Sequence, residues 1–266
     1  LIAVLAALIL APTLGLVVSS ITRDGQLTLA NWIDVLSGRR DQQAIVNTLV
    51  LASWAATIST LAVAPLAWLI SRMLPIGRAA WLSLLNVAAN IGGIVLGFGF
   101  LAAFGTFGMV TLVLHGVGIA WQPPDTTSFE GLLLGYLYTN IPLYVLLTLP
   151  AMGILRDDWW EAAQVAAATR WTFWRRVGLP VLTPFIAAGW LLIFTWSIGI
   201  YALAYALAGT GGADRFPLIT LRIGRIIQGD VFTPWRGHVL AVVLMIIAIV
   251  ALTTYRRLLR RALRWF

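Results

Sequence analysis

The sequence predicts an all-α, polytopic membrane protein with six transmembrane helices. Three observations carry that expectation. Of 266 residues, 60% are hydrophobic and only 11% charged, against about 45–50% and about 25% in soluble domains. Mean hydropathy is +0.91. The few charges are gathered between long uncharged runs. A surface so poor in charge cannot be wetted, which excludes a soluble enzyme or a disordered chain. An apolar excess that faces lipid fits.

A crossing needs about 20 apolar residues at about 1.5 Å rise each to span about 30 Å of hydrocarbon. The uncharged runs place spans at about 1–22, 45–70, 80–104, 131–155, 180–207 and 237–255, forming one domain. The stretch 106–121 is apolar but short and carries Gly108, Gly116 and Gly118, so a re-entrant or interfacial segment is expected there. No basic segment precedes the first apolar run, so a cleavable signal peptide is not expected.

The chain carries +8 net charge, and every basic residue is Arg. With six spans, 11 Arg fall on one side, in the short loops and C-terminal tail, and 7 on the other. The positive-inside rule then puts both termini in the cytoplasm. No basic stripe with stacking aromatics lies outside the spans, so nucleic acid is not an expected partner. There is no Cys, and His115 and His238 are the only histidines, which removes disulfides, thiolate chemistry and a multi-His metal centre. No acidic or basic side chain falls inside a span. Proton- and ion-coupled carriers usually place such groups at mid-membrane. Gly93-x-x-x-Gly97 has the spacing for close helix packing or for a bend lining a pathway.

The segment 156–180 carries the most information. Asp158 and Glu161 have capping-box spacing. Alanines at 162, 163, 166, 167 and 168 favour helix and leave a smooth face. A second short stretch, 171–177, follows, and Pro180 suits the first turn of the fifth span. Such a loop suits a grip for another protein, or an interfacial helix anchored by Trp159, Trp160, Trp171 and Trp174.

Glu161-Ala162-Ala163, three residues, position 167, nine residues, then Val177-x-Leu179-Pro180 is similar to the EAA loop of binding-protein-dependent ABC importer permeases. The resemblance to this class, with its MetI-like transmembrane domain, extends over most of the chain. It looks closest to the polyamine type, through Leu27–Trp32, Asn47-Thr48 and Pro142. The family's Gly falls on Ala167 here. A non-Gly residue at positive φ costs roughly 1 kcal/mol or more, so the turn is expected either to move toward Thr169 or to give a more continuous helix.

The resemblance implies a multi-pass subunit of the bacterial inner membrane that pairs with a second permease, expected to be a different chain. It implies an extracytoplasmic solute-binding protein and a cytoplasmic ABC ATPase dimer. ATP and Mg would be held by the ATPase, and no cofactor by this chain, which has no Gly-rich phosphate loop. Glu161 would contact the ATPase, Ala162 and Ala163 form the close-packed face, Ala167 makes the turn, and Leu179 and Pro180 launch the fifth helix.

Elsewhere, Leu218, Leu221, Ile226 and Ile227 have helical spacing with Arg222 and Arg225 between them. That reads as a helix on the membrane surface or a contact for the binding protein. Trp196, Tyr201 and Tyr205 face either a solute pathway or lipid and core. Aromatic faces attract organic cations, and Asp214, Asp230 or a partner would then have to supply carboxylates. The Arg-rich tail 256–266 reads as a topological anchor with snorkelling side chains. A self-contained secondary transporter or channel, and a membrane enzyme, are the competing classes. The first calls for inverted repeats or buried ionisable groups. The second calls for clustered His or acidic residues, and only Asp157, Asp158 and Glu161 cluster.

Overall fold

The computed structural model describes residues 2–152, 157–229 and 233–262. Helix α1 is Ile2–Ser20. A two-stranded antiparallel hairpin follows, β1 Thr22–Arg23 with β2 Gln26–Leu27. Asp24 and Gly25 both take positive φ at its turn, the conformation that Asp-Gly pairs favour in two-residue hairpins. Helices α2 (Ala30–Ser37), α3 (Arg39–Ser71), α4 (Pro75–Asn90), α5 (Gly93–Phe104), α6 (Met109–Gly116) and α7 (Phe129–Met152) come next. They are followed by α8 (Asp157–Val165), α9 (Arg170–Phe173), a π-helical turn Trp174–Gly178, and α10 (Leu179–Ile198). Helices α11 (Ala202–Arg215), α12 (Ile219–Gly229) and α13 (Pro234–Ala262) complete the chain.

Among the described residues, five stretches are long and apolar enough to cross a membrane: Arg39–Ser71, Gly93–Gly116, Phe129–Pro150, Arg170–Ile198 and Pro234–Arg260. Two predicted spans differ from the observed helices. The helix expected over 80–104 is two helices, because Ile91 takes extended backbone at the end of α4 and the chain restarts at Gly93. The Gly92-Gly93 pair supplies the freedom for that break. The apolar stretch then runs on through α6, into the segment 106–121. The helix expected over 180–207 ends at Ile198, and α11 begins at Ala202. At its other end it starts early, because α9 and the π turn run directly into α10.

The chain divides into two compact units: residues 1–51, 93–132 and 198–249 in one, and residues 52–92, 133–197 and 250–266 in the other. In the first, Val35, Ala44, Ile219, Ile226, Val239 and Leu240 form a buried apolar cluster joined by Trp32 and Trp235. Helix α12 is fixed on this cluster by α3. Ile219 donates its backbone N–H to Thr48 Oγ1 (2.9 Å), and Asn47 donates to the Pro217 carbonyl (3.1 Å). Asp41, one further step along the same face, accepts two bonds from Arg222. The glycine stripe of α5 packs on the small face of α11, with a Cβ at Gly97 running into Ala206 and one at Gly93 lying 3.2 Å from Ala202.

In the second unit, Asn140 on α7 donates to Ser197 on α10 (2.8 Å), both buried. The buried Tyr144 ring lies against Gly189, where a side chain would collide with it, and its hydroxyl donates to the Ile186 carbonyl (3.0 Å). Trp190 donates to Thr57 Oγ1 (3.0 Å) and stacks on Phe194.

Candidate functional site

Most of the predicted site residues fall into two places, one in each unit. The first is the corner formed by α8, α9 and the π turn. Helix α8 is described from Asp157 onward, and Asp158 is a helical residue within it. Residues 153–156 lie outside the described residues. Glu161 and Ala162 are exposed and Ala163 is half-buried. Val165 is 91% exposed beside them. The outer face of α8 thus carries two exposed carboxylates, Asp158 and Glu161, beside Ala162 and Val165.

The turn stays at Ala167, contrary to the expected shift toward Thr169 or a continuous helix. Ala167 has φ +52°, in the left-handed region. Its N–H donates to the Gln164 carbonyl (2.9 Å), and the Ala168 N–H donates to the Ala163 carbonyl (2.9 Å). This pair of bonds is the Schellman motif, with Ala167 at the position where Gly is usual. Two backbone bonds at the helix end hold a conformation that Ala alone disfavours. Thr169 then caps α9 by accepting from the Thr172 N–H (3.2 Å).

Aromatic contacts clasp the corner. Trp160 on α8 meets the buried Phe173 edge-on with centroids 5.3 Å apart, and Phe173 meets Trp174 at 6.3 Å. Arg170 lies over the Trp160 ring. Trp171 is exposed. Trp160 and Trp174 therefore serve the corner's own packing. Gly178 sits under Trp174, where a Cβ would come 2.6 Å from the ring. Pro180 is the second residue of α10, in its first turn as expected, and follows the π turn with only Leu179 between. Proline has no N–H to give to the preceding turn, and a wider turn just before it accommodates that loss. Leu179 and Pro180 are both exposed.

The second place is a cavity of about 230 Å³ lined by Tyr201, Tyr205, Gly209, Leu221, Arg225, Gln228 and Gly229. The two tyrosines stack with centroids 5.5 Å apart. Gly224 lies against Tyr201, where a Cβ would come 2.7 Å from the ring. Gly209, at φ +59°, kinks α11 at the rim. Trp196 belongs to the other unit, is exposed and is not part of this lining. Asp230 lies outside the described residues.

The two arginines of α12 have different roles. Arg222 donates from Nε (3.1 Å) and from its terminal nitrogen (2.6 Å) to one oxygen of the buried Asp41. Its side chain is 13% exposed, so it serves the interior of its unit. Arg236 approaches the other Asp41 oxygen at 3.8 Å. Arg225 reaches the cavity and pairs with the exposed Asp214 at 2.7 Å. That hydrogen bond and charge hold the Asp214 carboxyl below its usual range, with Arg40 and Arg222 adding to the effect. Sequence spacing put Arg222 and Arg225 together, but α12 turns one into the core and the other toward Tyr201. Among the described residues no group of three or more His or acidic side chains is placed to hold a metal.

No protein-family model matches the chain. By sequence it is 28% identical over 184 residues to the sulfate transport system permease protein CysT of Salmonella typhimurium, covering 69% of this chain and 65% of that protein. The chain therefore aligns with just under two thirds of that relative's length. It is 27% identical over 224 residues to the spermidine/putrescine transport system permease protein PotB of Haemophilus influenzae, covering 82% of this chain and 75% of that protein. By fold it resembles a chain of the crystal structure of a bacterial alginate ABC transporter in complex with an alginate pentasaccharide-bound periplasmic protein. The TM-score is 0.77 at 18% identity, over 97% of this chain and 91% of the other. The fold is that of an ABC transporter membrane subunit, and the homologues are ABC importer permeases, transport components and not enzymes.

Proposed function

We propose that this chain is the transmembrane permease subunit of an ATP-driven ABC importer in the bacterial inner membrane. The observation that carries the reading is homology to an importer permease over 82% of the chain. The surface of α8 supports it further. Helix α1, with 19 residues, is about 28 Å long at about 1.5 Å per residue and supplies the sixth crossing beside the five longer stretches. Both termini are cytoplasmic, by the distribution of Arg across six spans. The chain pairs with a second permease to enclose the pathway, and a solute-binding protein delivers solute from outside.

The α8–α9 corner is the coupling element. Glu161 is the acidic contact with a cytoplasmic ABC ATPase dimer, and Ala162 and Ala163 are the face that packs into it. Ala167 turns the chain, and Leu179 and Pro180 join the corner to α10. ATP and Mg are held by the ATPase. Nucleotide binding changes the relative stability of two packings of the membrane subunits, and the corner passes that difference to α10. The relatives are named for solutes as unlike as sulfate and spermidine, so membership of this class does not set the solute.

The test is co-purification of the chain with its ATPase, with Glu161→Arg as the perturbation. Association and solute-dependent ATP hydrolysis are expected to fall together. If both are unchanged, the corner is not the coupling element.

A further inference from the structure

The cavity beside α12 has a chemical character of its own. At about 230 Å³ it is smaller than the about 300–1,000 Å³ of ordinary ligand pockets, so it suits a small solute or one end of a larger one. Its polar lining is Arg225, Gln228 and the two tyrosines. A guanidinium only donates, in a planar fork that matches carboxylates and oxyanions. An amide N–H and phenol O–H are donors of the same reach. Asp214 is not part of the lining, and it holds Arg225 from outside the cavity. The charges acting on Asp214 are the guanidiniums of Arg225, Arg40 and Arg222, and Arg222 is itself committed to Asp41. Stacked tyrosine faces alone suit an organic cation, but here the Arg225 guanidinium lines the same cavity and repels one.

We propose that this cavity binds the anionic oxygen group of a small solute, such as a carboxylate or a sulfate-like oxyanion, which takes the place of Asp214 on Arg225. Asp214 is the built-in competitor. Its side chain is 65% exposed, so leaving Arg225 returns it to water at little cost. The exchange keeps Arg225 paired in both states. Binding therefore does not depend on an idle guanidinium, and the empty cavity is not left with an unpaired charge. The meaning of this site as a step in transport rests on the permease reading, but the binding itself does not.

The experiment follows modification of Arg225 by phenylglyoxal, read residue by residue by mass spectrometry. It uses the chain purified with its partner subunits in neutral detergent. Sodium sulfate or sodium acetate is titrated against sodium chloride at fixed ionic strength. Arg215 is the internal control, because it is also paired with a carboxylate, Asp125 at 3.2 Å, but is not part of the cavity lining. Sulfate or acetate is expected to protect Arg225 and not Arg215. Asp214→Asn removes the competitor and should lower the half-protecting concentration by about tenfold, as expected for losing one charge-assisted hydrogen bond. Gln228→Leu should raise it.

Equal protection of both arginines, no shift with Asp214→Asn, or protection by putrescine at lower concentration than by sulfate would each overturn the proposal. Nanodiscs identify the source of the anion. Protection by sulfate in phosphatidylcholine alone identifies a free solute. Protection without added anion, seen only when phosphatidylglycerol is present, identifies a lipid headgroup. Failure of these tests would leave ATPase association unaffected, so it is distinguishable from failure of the permease reading.

Discussion

Replacing Ala167 by Gly should stabilise the α8–α9 corner, although Gly ordinarily weakens helical structure. Ala167 sits at φ +52°, where an L-residue carries a penalty of about 1–2 kcal/mol. Glycine removes that penalty. It also adds about 0.4–1 kcal/mol of conformational freedom to the opened chain. The difference favours the closed corner by about 0.5–1 kcal/mol, which is about a two- to fivefold slower opening equilibrium. The amides to follow are those of residues 167 and 168, whose bonds to Gln164 and Ala163 (both 2.9 Å) break only when the corner opens. Hydrogen exchange with mass-spectrometric readout, corrected for intrinsic rates, gives that ratio directly. Ala167→Val should act in the opposite direction, because a β-branched side chain at positive φ is an outlier. If Gly leaves exchange unchanged or speeds it, or if Val is neutral, the strain argument fails.

Other perturbations probe the remaining contacts. Asp41→Ala leaves Arg222, 13% exposed, without the carboxylate that holds it, and should cost about 3–5 kcal/mol, seen as a lower thermal denaturation midpoint in detergent. Asp41→Leu combined with Arg222→Met should recover part of that loss, since Arg222 no longer leaves a buried charge without its carboxylate, while Arg236, 36% exposed, loses its 3.8 Å approach to Asp41. Gly97→Val drives a side chain into Ala206 and should destabilise by about 1–3 kcal/mol, with faster exchange in α5 and α11 as the readout. Gly178→Ala puts a Cβ within 2.6 Å of Trp174, so the π turn should lose exchange protection while α13 does not.

Much of the architecture was legible in the sequence because lipid leaves few options. A segment of about 20 apolar residues has to satisfy its backbone internally, and a helix does so. The helices at 39–71, 129–152 and 234–262 lie over predicted spans for that reason. The breaks were less legible. Gly92 and Gly93 are uncharged, so composition alone passed over the interruption at Ile91. The hairpin at 22–27 did have a signal, the Asp24-Gly25 pair, which span counting overlooks. The place of Arg222 had none, since nothing local distinguishes it from Arg225.

Composition and spacing by themselves determined that the chain is helical, meets lipid, and carries an acidic, alanine-rich corner between two spans. Tertiary structure alone decided that Ala167 keeps the left-handed turn, and that Arg222 goes to Asp41 while Arg225 joins Tyr201 and Tyr205. The physical reason is range. Burial in lipid and helix formation are set by neighbours within a few turns. Which side chain meets which depends on contacts such as Asp41 with Arg222, 181 residues apart in sequence, and these exist only after the chain has folded.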